Sequence, residues 1–340
     1  MSNLHDLQVQ RALYVLRYGN GVSAEIQKLL TRLERNIVAK LGERLAGIEE
    51  RGFDLGPTVT ARLEKALEEI RAVNEHVYGQ ALDTLRDNLT DLAADEMAYG
   101  AKALSKGLGI RAQAALASPQ RLKSIVSERP IQGKLLAPWF KDSGERNKGL
   151  VEQIIRDGMS GGSTVDDMAR GVRDVMGKSR ASAKAIVRTS VNHVSTQAQM
   201  ETYAANDVVK AWRFVATLDS RTTVQCASLS NRIFAIGKGP QPPRHPNCRS
   251  TIVAITNLEE FGIDPAQLER DGVGKIKKTP ADSDPSFDEW MKGKGEGFQN
   301  EYLGETRARL WRDGKYSLQD FLRNDGTMIP LDELRKTHPD

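Results

Sequence analysis

The chain is organised around a stretch that reads Asp219-Ser-Arg-Thr-Thr-Val-Gln-Cys226 and, after a Gly/Pro-rich passage, Pro243-Arg-His-Pro-Asn-Cys-Arg249. Both cysteines of the protein lie in this stretch, and His245 precedes the second cysteine by three residues. Irregular segments that carry polar and ligating side chains are often functional. We therefore expect the candidate site here.

Strand-like sequences flank this stretch on both sides. Residues 208–216 alternate in a way that predicts a β-strand, and Thr251-Ile-Val-Ala-Ile255 predicts a second one. A connection of about thirty residues between two strands is unusual unless its own side chains hold it in place. We predict that five side chains pin the loop and are buried within it: Asp219, Arg221, Cys226, His245 and Cys248.

The order and spacing of these residues also carry a resemblance. Three motifs run along the stretch: Asp219-x-Arg221-Thr222, then Cys226-x-x-Leu229, then Pro243-x-His245-Pro246-x-Cys248-Arg249. Together they resemble the phage head morphogenesis domain, typified by the Mu F-like minor head proteins of tailed bacteriophages. The resemblance covers roughly residues 149 to 256, and it implies a structural motif made of Asp219, Arg221, Thr222, Cys226, His245, Pro246, Cys248 and Arg249.

The chain departs from the family pattern at two positions. The pattern that many members resemble has two additional cysteines. One lies three residues before the first motif cysteine, and the other lies two residues after the last. Here those positions are Thr223 and Ser250. A metal or disulfide role that depends on four cysteines is therefore weakened in this chain.

The resemblance implies a minor head protein that is not an enzyme. Its partner would be the portal protein or the inner capsid, with packaged DNA close by, so it would reside in the virion head and in the host cytoplasm during assembly. The alternative is a metal-dependent nuclease or toxin-like enzyme centred on His245, with Asp219 and Arg221 nearby. A catalytic pocket converging on His245 would favour the enzyme, and a closed loop would favour the structural role.

The two cysteines and the histidine also raise a metal hypothesis. Cys226, His245 and Cys248 are candidate zinc ligands, because thiolate and imidazole are the groups that zinc usually binds. A structural zinc site takes four ligands, so Asp219 would have to complete it. A set of buried thiols and hydrogen bonds without metal is the favoured interpretation, and a disulfide formed after release from the cell is a further one.

Composition limits the remaining function classes. Lys plus Arg is 49 and Asp plus Glu is 45, a net charge of +4 that by itself does not identify a nucleic-acid-binding protein. We expect only non-specific DNA contact. No run of about 18 apolar residues occurs, so we expect a soluble protein with no membrane partner.

The rest of the chain predicts an α+β protein in three parts. Residues 1–148 form a helical assembly module, residues 149–258 the head morphogenesis domain, and residues 259–340 a flexible connector with a helical tail. In the first part, two amphipathic stripes separated by Gly52 and Gly56-Pro57 predict an antiparallel helical hairpin. The stripes face either each other or a partner assembly, and the first interpretation is favoured.

Two further features belong to the central part. Thr164 is followed three residues later by Asp167, a spacing that predicts the start of a helix close to a capping box. The next helix carries His193, which we interpret as an ordinary surface or boundary histidine. The polar stretch from Pro138 to Lys148 is interpreted as the link between the first two parts.

Overall fold

A computed structural model describes residues 4–45, 56–274, 287–323 and 327–337. Long helices occupy the N-terminal half, a small antiparallel sheet lies in the middle, and short helices follow it, so the α+β class is confirmed. One sequence prediction, the break at Gly52, lies outside the described residues.

The first half of the chain consists of long helices joined by short connections. None of the described helices combines the length and the apolar character that crossing a membrane requires. Their bounds are α1 Leu4–Leu45, α2 Pro57–Leu108, α3 Pro119–Lys123, a π-helical turn Ser124–Glu128, α4 Leu136–Gly161 and α5 Val165–Ala204.

The second half alternates short strands with short helices. The bounds are β1 Ala211–Val215, α6 Val224–Leu229, β2 Ile233–Ala235, β3 Thr251–Ile255, a 3-10 turn Glu259–Phe261, α7 Pro265–Asp271, β4 Val273–Gly274, α8 Phe287–Lys292, α9 Glu296–Leu303, α10 Glu305–Arg312, a 3-10 turn Leu318–Phe321 and α11 Leu331–Thr337.

The described residues divide into two compact units. One unit is drawn from residues 15–93 and 118–194, and the other from residues 1–14, 94–117 and 195–340. Each unit is thus assembled from segments that are distant in the sequence. The predicted divisions at residues 148 and 258 stay predictions about separable domains, although Pro138–Lys148 lies inside the unbroken helix α4 and is not an extended link.

The first of these units is a helical bundle. Lys40 Nζ lies 2.8 Å from Glu69 Oε2, and the Tyr18 hydroxyl donates to the Asn88 carbonyl at 2.7 Å, so α1 and α2 run antiparallel as the hairpin prediction required. The apolar stripes lie inside the unit, where burial removes them from water. The fully buried stripe residues include Ile26, Leu30, Leu33, Ile37, Leu67, Ile70, Leu85 and Leu89.

Helices α4 and α5 meet at a turn that the sequence marks clearly. Gly162 adopts φ 72°, a left-handed conformation that suits glycine, and it ends α4. The Thr164 hydroxyl then accepts from the Asp167 N–H at 3.1 Å, while Asp167 accepts from the Thr164 N–H at 3.2 Å. This reciprocal pair is the predicted capping box, and α5 begins immediately after it.

The sheet belongs to the second unit and has the strand order β3-β1-β2-β4, with antiparallel neighbours. The two predicted strands are therefore adjacent, with Trp212 opposite Ala254 on β3 and opposite Phe234 on β2. The connection between them is not irregular throughout, because it contains α6 and β2. Ile233 and Phe234 pair with β1, and both side chains are buried. Cross-strand packing of these apolar side chains stabilises β2.

The core of this unit lies beside β1. Trp212 is fully buried, and its ring centroid lies 4.8 Å from that of Phe234. The ends of α1 and α2 supply Leu4, Leu7 and Leu104 to the same core. Residues near the N-terminus therefore help to form the environment in which the candidate loop folds.

Candidate functional site

An ion pair ties the two ends of the motif loop together. Asp219 follows β1, Arg249 precedes β3, and the antiparallel pairing of these strands brings the two residues side by side. Arg249 Nη1 lies 2.7 Å from Asp219 Oδ2 and Nη2 lies 2.5 Å from Oδ1. A guanidinium that grips both oxygens of a carboxylate fixes geometry as well as charge.

Asp219 also shapes the turn that follows it. Its Oδ1 accepts from the backbone N–H of Arg221 at 2.9 Å, and its own N–H donates to the Thr222 hydroxyl at 3.0 Å. The Thr222 hydroxyl in turn donates to the Thr217 carbonyl. Hydrogen bonds from Arg249, opposed in part by burial, hold the pKa of the Asp219 carboxyl well below its usual range.

Arg221 does not pin the loop as predicted. Its side chain is 74% exposed, and its guanidinium reaches Asp219 only at 3.5 Å. Arg249, whose side chain is 14% exposed, occupies both carboxylate oxygens instead. Arg249 comes from the far end of the loop, and sequence proximity favoured the wrong arginine.

A cluster of two thiols and an imidazole lies next to this ion pair. Cys226 is on α6, whose N-terminus is capped by the Thr223 hydroxyl, and Cys248 precedes β3. Each of Cys226, His245 and Cys248 offers one ligand atom, and these atoms lie within 4.8 Å of one another. Both cysteines are buried, and His245 is half-buried.

The protonation of the cluster follows from its contacts. The hydrogen bond with Cys226, aided by the nearby imidazole, lowers the pKa of Cys248, and the hydrogen bond with Cys248 raises the pKa of His245. The same Cys226–Cys248 contact, together with burial, raises the pKa of Cys226. The thiol of Cys248 is therefore the one that ionises first.

The two thiols are free, and their separation suits a thiol–thiol hydrogen bond as well as a zinc ion bound to both sulfurs. The two sulfurs are 3.6 Å apart. Two zinc–sulfur bonds of about 2.3 Å at a tetrahedral angle separate the sulfurs by about 3.8 Å, whereas a disulfide bond is about 2.05 Å long. Nδ1–H of His245 donates to the Pro246 carbonyl at 2.9 Å, which leaves Nε2 as the ligand atom.

The expected fourth ligand does not join the cluster. Asp219 is engaged by Arg249, and among the described residues no other histidine, cysteine or carboxylate groups with the three. Ser250 and Thr223 occupy the two positions at which the family pattern has its additional cysteines. The hydroxyls of both residues hydrogen-bond to Cys226. These positions therefore surround the same point in the fold.

Little space lies beside His245. A cavity of about 10 Å³ is bounded by Cys226, His245, Arg249 and neighbouring loop residues. That is about the room that one water molecule needs. A larger cavity of about 390 Å³ lies beside Arg221 and Thr222 of the same loop, but Cys226, His245 and Cys248 do not line it. The point at which the cluster residues meet is therefore closed, which favours the structural role.

Two contacts from outside the loop were not anticipated from the sequence. The Tyr302 hydroxyl of α9 donates to the Thr222 carbonyl at 2.6 Å, and Gln197 Nε2 of α5 donates to Gln241 Oε1 at 2.8 Å. Residues of two helices in the same unit thus hold the loop at two points. Tyr302 lies outside residues 149 to 256, which the resemblance covers, so its role needed the three-dimensional structure.

Comparison with known proteins identifies a family that matches the segment containing the motif loop. Residues 150–253 match the family of phage Mu protein F like proteins, which confirms the family that the motif residues resemble. This range contains Asp219, the three cluster residues and Arg249. No match was found among curated proteins or among solved structures.

Proposed function

We propose that the protein is a minor head protein of a tailed phage, which acts in head morphogenesis without enzymatic activity. The observation that carries the proposal is the closed motif loop within the segment that matches the Mu F-like family. The loop side chains make contacts that hold it in place, since both carboxylate oxygens of Asp219 are bound by Arg249 and the cavity beside the cluster measures only about 10 Å³. An enzyme needs room for a substrate at its catalytic residues, and the cluster offers too little.

In this proposal the protein is a virion component that contacts the portal protein or the inner capsid. The helical segment 1–148 serves as its assembly module, through surfaces other than the apolar stripes, because the stripes are buried. DNA contact is secondary and independent of sequence, since the net charge is only +4.

We further propose that the cluster holds a structural zinc ion through Cys226, His245 and Cys248. The convergence of one imidazole nitrogen and two sulfurs within 4.8 Å of one another supports this assignment. Bound zinc would link α6 to the segment before β3 and so stabilise the loop. With three protein ligands, the remaining position falls to water or to the Ser250 hydroxyl, which lies within hydrogen-bonding reach of Cys226.

The proposed role is tested on purified particles. In the phage that encodes this chain, heads should contain the full-length protein at a fixed number of copies, measured by quantitative mass spectrometry. Deleting the gene should yield defective or absent heads. Normal heads from the deletion strain, or heads without the protein, would contradict the proposal.

A further inference from the structure

A second cavity lies on the other side of the sheet unit, away from the motif loop. It has a volume of about 350 Å³ and is bounded by the start of α1, the end of α2, β3 and the turn that follows β3. This volume lies within the range of small-molecule sites. Its walls include His5, Arg213, Thr256, Asn257 and Glu260.

The cationic wall of the cavity comes from a buried strand residue. Arg213 is the central residue of β1 and is only 4% exposed, although a guanidinium remains charged at all ordinary pH values. Its carbon Cζ lies 5.7 Å from the centre of the Phe261 ring, which partly compensates for the lost hydration. A strand position between apolar neighbours is an expensive place for a positive charge.

The neighbouring imidazole has a defined tautomer. Arg213 Nη2 lies 2.9 Å from His5 Nδ1, and because arginine only donates, Nδ1 must accept. The proton of a neutral His5 then resides on Nε2. Arg213 and His5 therefore both carry N–H donors, and both residues line the cavity.

The acidic residue of the wall lies at the exposed edge. Glu260 is exposed, and its Oε1 accepts from the Asn257 amide at 3.3 Å. An exposed charge is screened by water and salt far more than a buried one. Of the two charged residues that line the cavity, the buried one, Arg213, is the less screened, which favours an anion over a cation.

From this arrangement we propose that the cavity binds an oxyanion, the phosphate or carboxylate group of a small molecule. Arg213 holds the oxyanion by charge and hydrogen bonding, and His5 adds the N–H of Nε2 as a second donor. Glu260 limits the affinity, because it repels the ligand at the entrance. The site is separate from the cysteine and histidine cluster, so it does not depend on the proposed head function.

The test titrates the full-length protein with inorganic phosphate and, in a parallel arm, with acetate, using backbone amide NMR shifts. We expect residues 253–257 to shift with a dissociation constant of about 1 to 10 mM for the preferred anion. A response to phosphate alone, or to acetate alone, identifies the group. Shifts that are absent for both anions, or spread evenly over the surface, would overturn the proposal.

Three variants sharpen the result. Arg213→Met should weaken binding at least about tenfold, and Glu260→Gln should strengthen it about threefold, because the two residues bear opposite charges at the same site. Arg309→Gln removes one positive charge from an exposed position that does not line the cavity and should change nothing. If Arg213→Met fails to fold, Glu260→Gln still decides, since unchanged affinity in that variant refutes the site.

Discussion

Asp219→Asn is the substitution that examines the pinned loop most closely. The variant keeps the size of the side chain but loses its charge and leaves the Arg249 guanidinium facing a neutral amide. Two charge-assisted hydrogen bonds of 2.7 and 2.5 Å are weakened at once. Because Asp219 is 35% and Arg249 14% exposed, solvent screens part of the loss.

The expected cost follows from these contacts. Hydrogen bonds to charged groups contribute about 1.5 to 3 kcal/mol each when buried, and screening reduces the pair to about 2 kcal/mol in total. A unit of this size then melts about 4 to 8 °C lower. Urea denaturation followed by circular dichroism should show a lower midpoint with an unchanged slope.

A matched control separates the ion pair from a general effect of removing an aspartate. Asp271 is 39% exposed and makes a single contact of 3.1 Å with its neighbour Arg270, so Asp271→Asn should cost no more than about 0.5 kcal/mol. Combining Asp219→Asn with Arg249→Met should cost less than the sum of the two single variants, because both remove the same interaction.

The pH dependence gives a further check with a defined sign. The folded-state pKa of Asp219 is lowered by Arg249, so its contribution is complete above the unfolded pKa of about 4 and is lost as the pH falls below that value. The gap between the wild type and Asp219→Asn should close in acid. Equal losses in Asp219→Asn and Asp271→Asn, or full additivity with Arg249→Met, would refute the reasoning.

Three other predictions concern pH, metal and DNA. Burial, and to a lesser extent Arg129, lowers the pKa of His193 from 6.5 to about 4. The unfolded chain therefore binds a proton before the folded protein does, and the free energy of unfolding should fall by about 3 kcal/mol as the pH drops from 6.5 to 4. In His193→Gln, denaturation curves measured across this pH range should lose that dependence. Elemental analysis should find one zinc per chain, and chelation should lower the melting temperature. Ser250→Cys should tighten zinc binding by supplying a fourth ligand. A protein that is purified without zinc and whose melting temperature does not change on chelation would contradict this. DNA binding measured by fluorescence anisotropy should be sequence-independent and fall steeply between low and physiological salt, and tight binding to one sequence at physiological salt would contradict it.

Local patterns predicted the elements of the fold well. The run Thr251-Ile-Val-Ala-Ile255 is the strand β3, and the hydroxyl and carboxylate of Thr164 and Asp167 form the capping box. Such features depend on neighbours in the sequence, and their physics can be read there. The same holds for the buried stripes of α1 and α2.

Long-range contacts escaped prediction for a physical reason. The choice between Arg221 and Arg249 as the partner of Asp219 depends on strand register, which places residues thirty apart in the chain side by side. His193, interpreted as a surface or boundary residue, is only 7% exposed, because the packing of a whole unit determines its environment. Sequence periodicity contains neither piece of information.

One measurement tests the central claim. The claim is that the motif loop is needed for the protein to fold and to be incorporated into phage heads. Full-length His245→Ala is supplied to a phage lacking the gene, and the copies of the protein per purified head are counted by mass spectrometry. His76→Ala, an exposed histidine on α2, is the control. The account predicts normal incorporation of the control and loss of folding and incorporation together for His245→Ala, whereas normal incorporation of His245→Ala would contradict it.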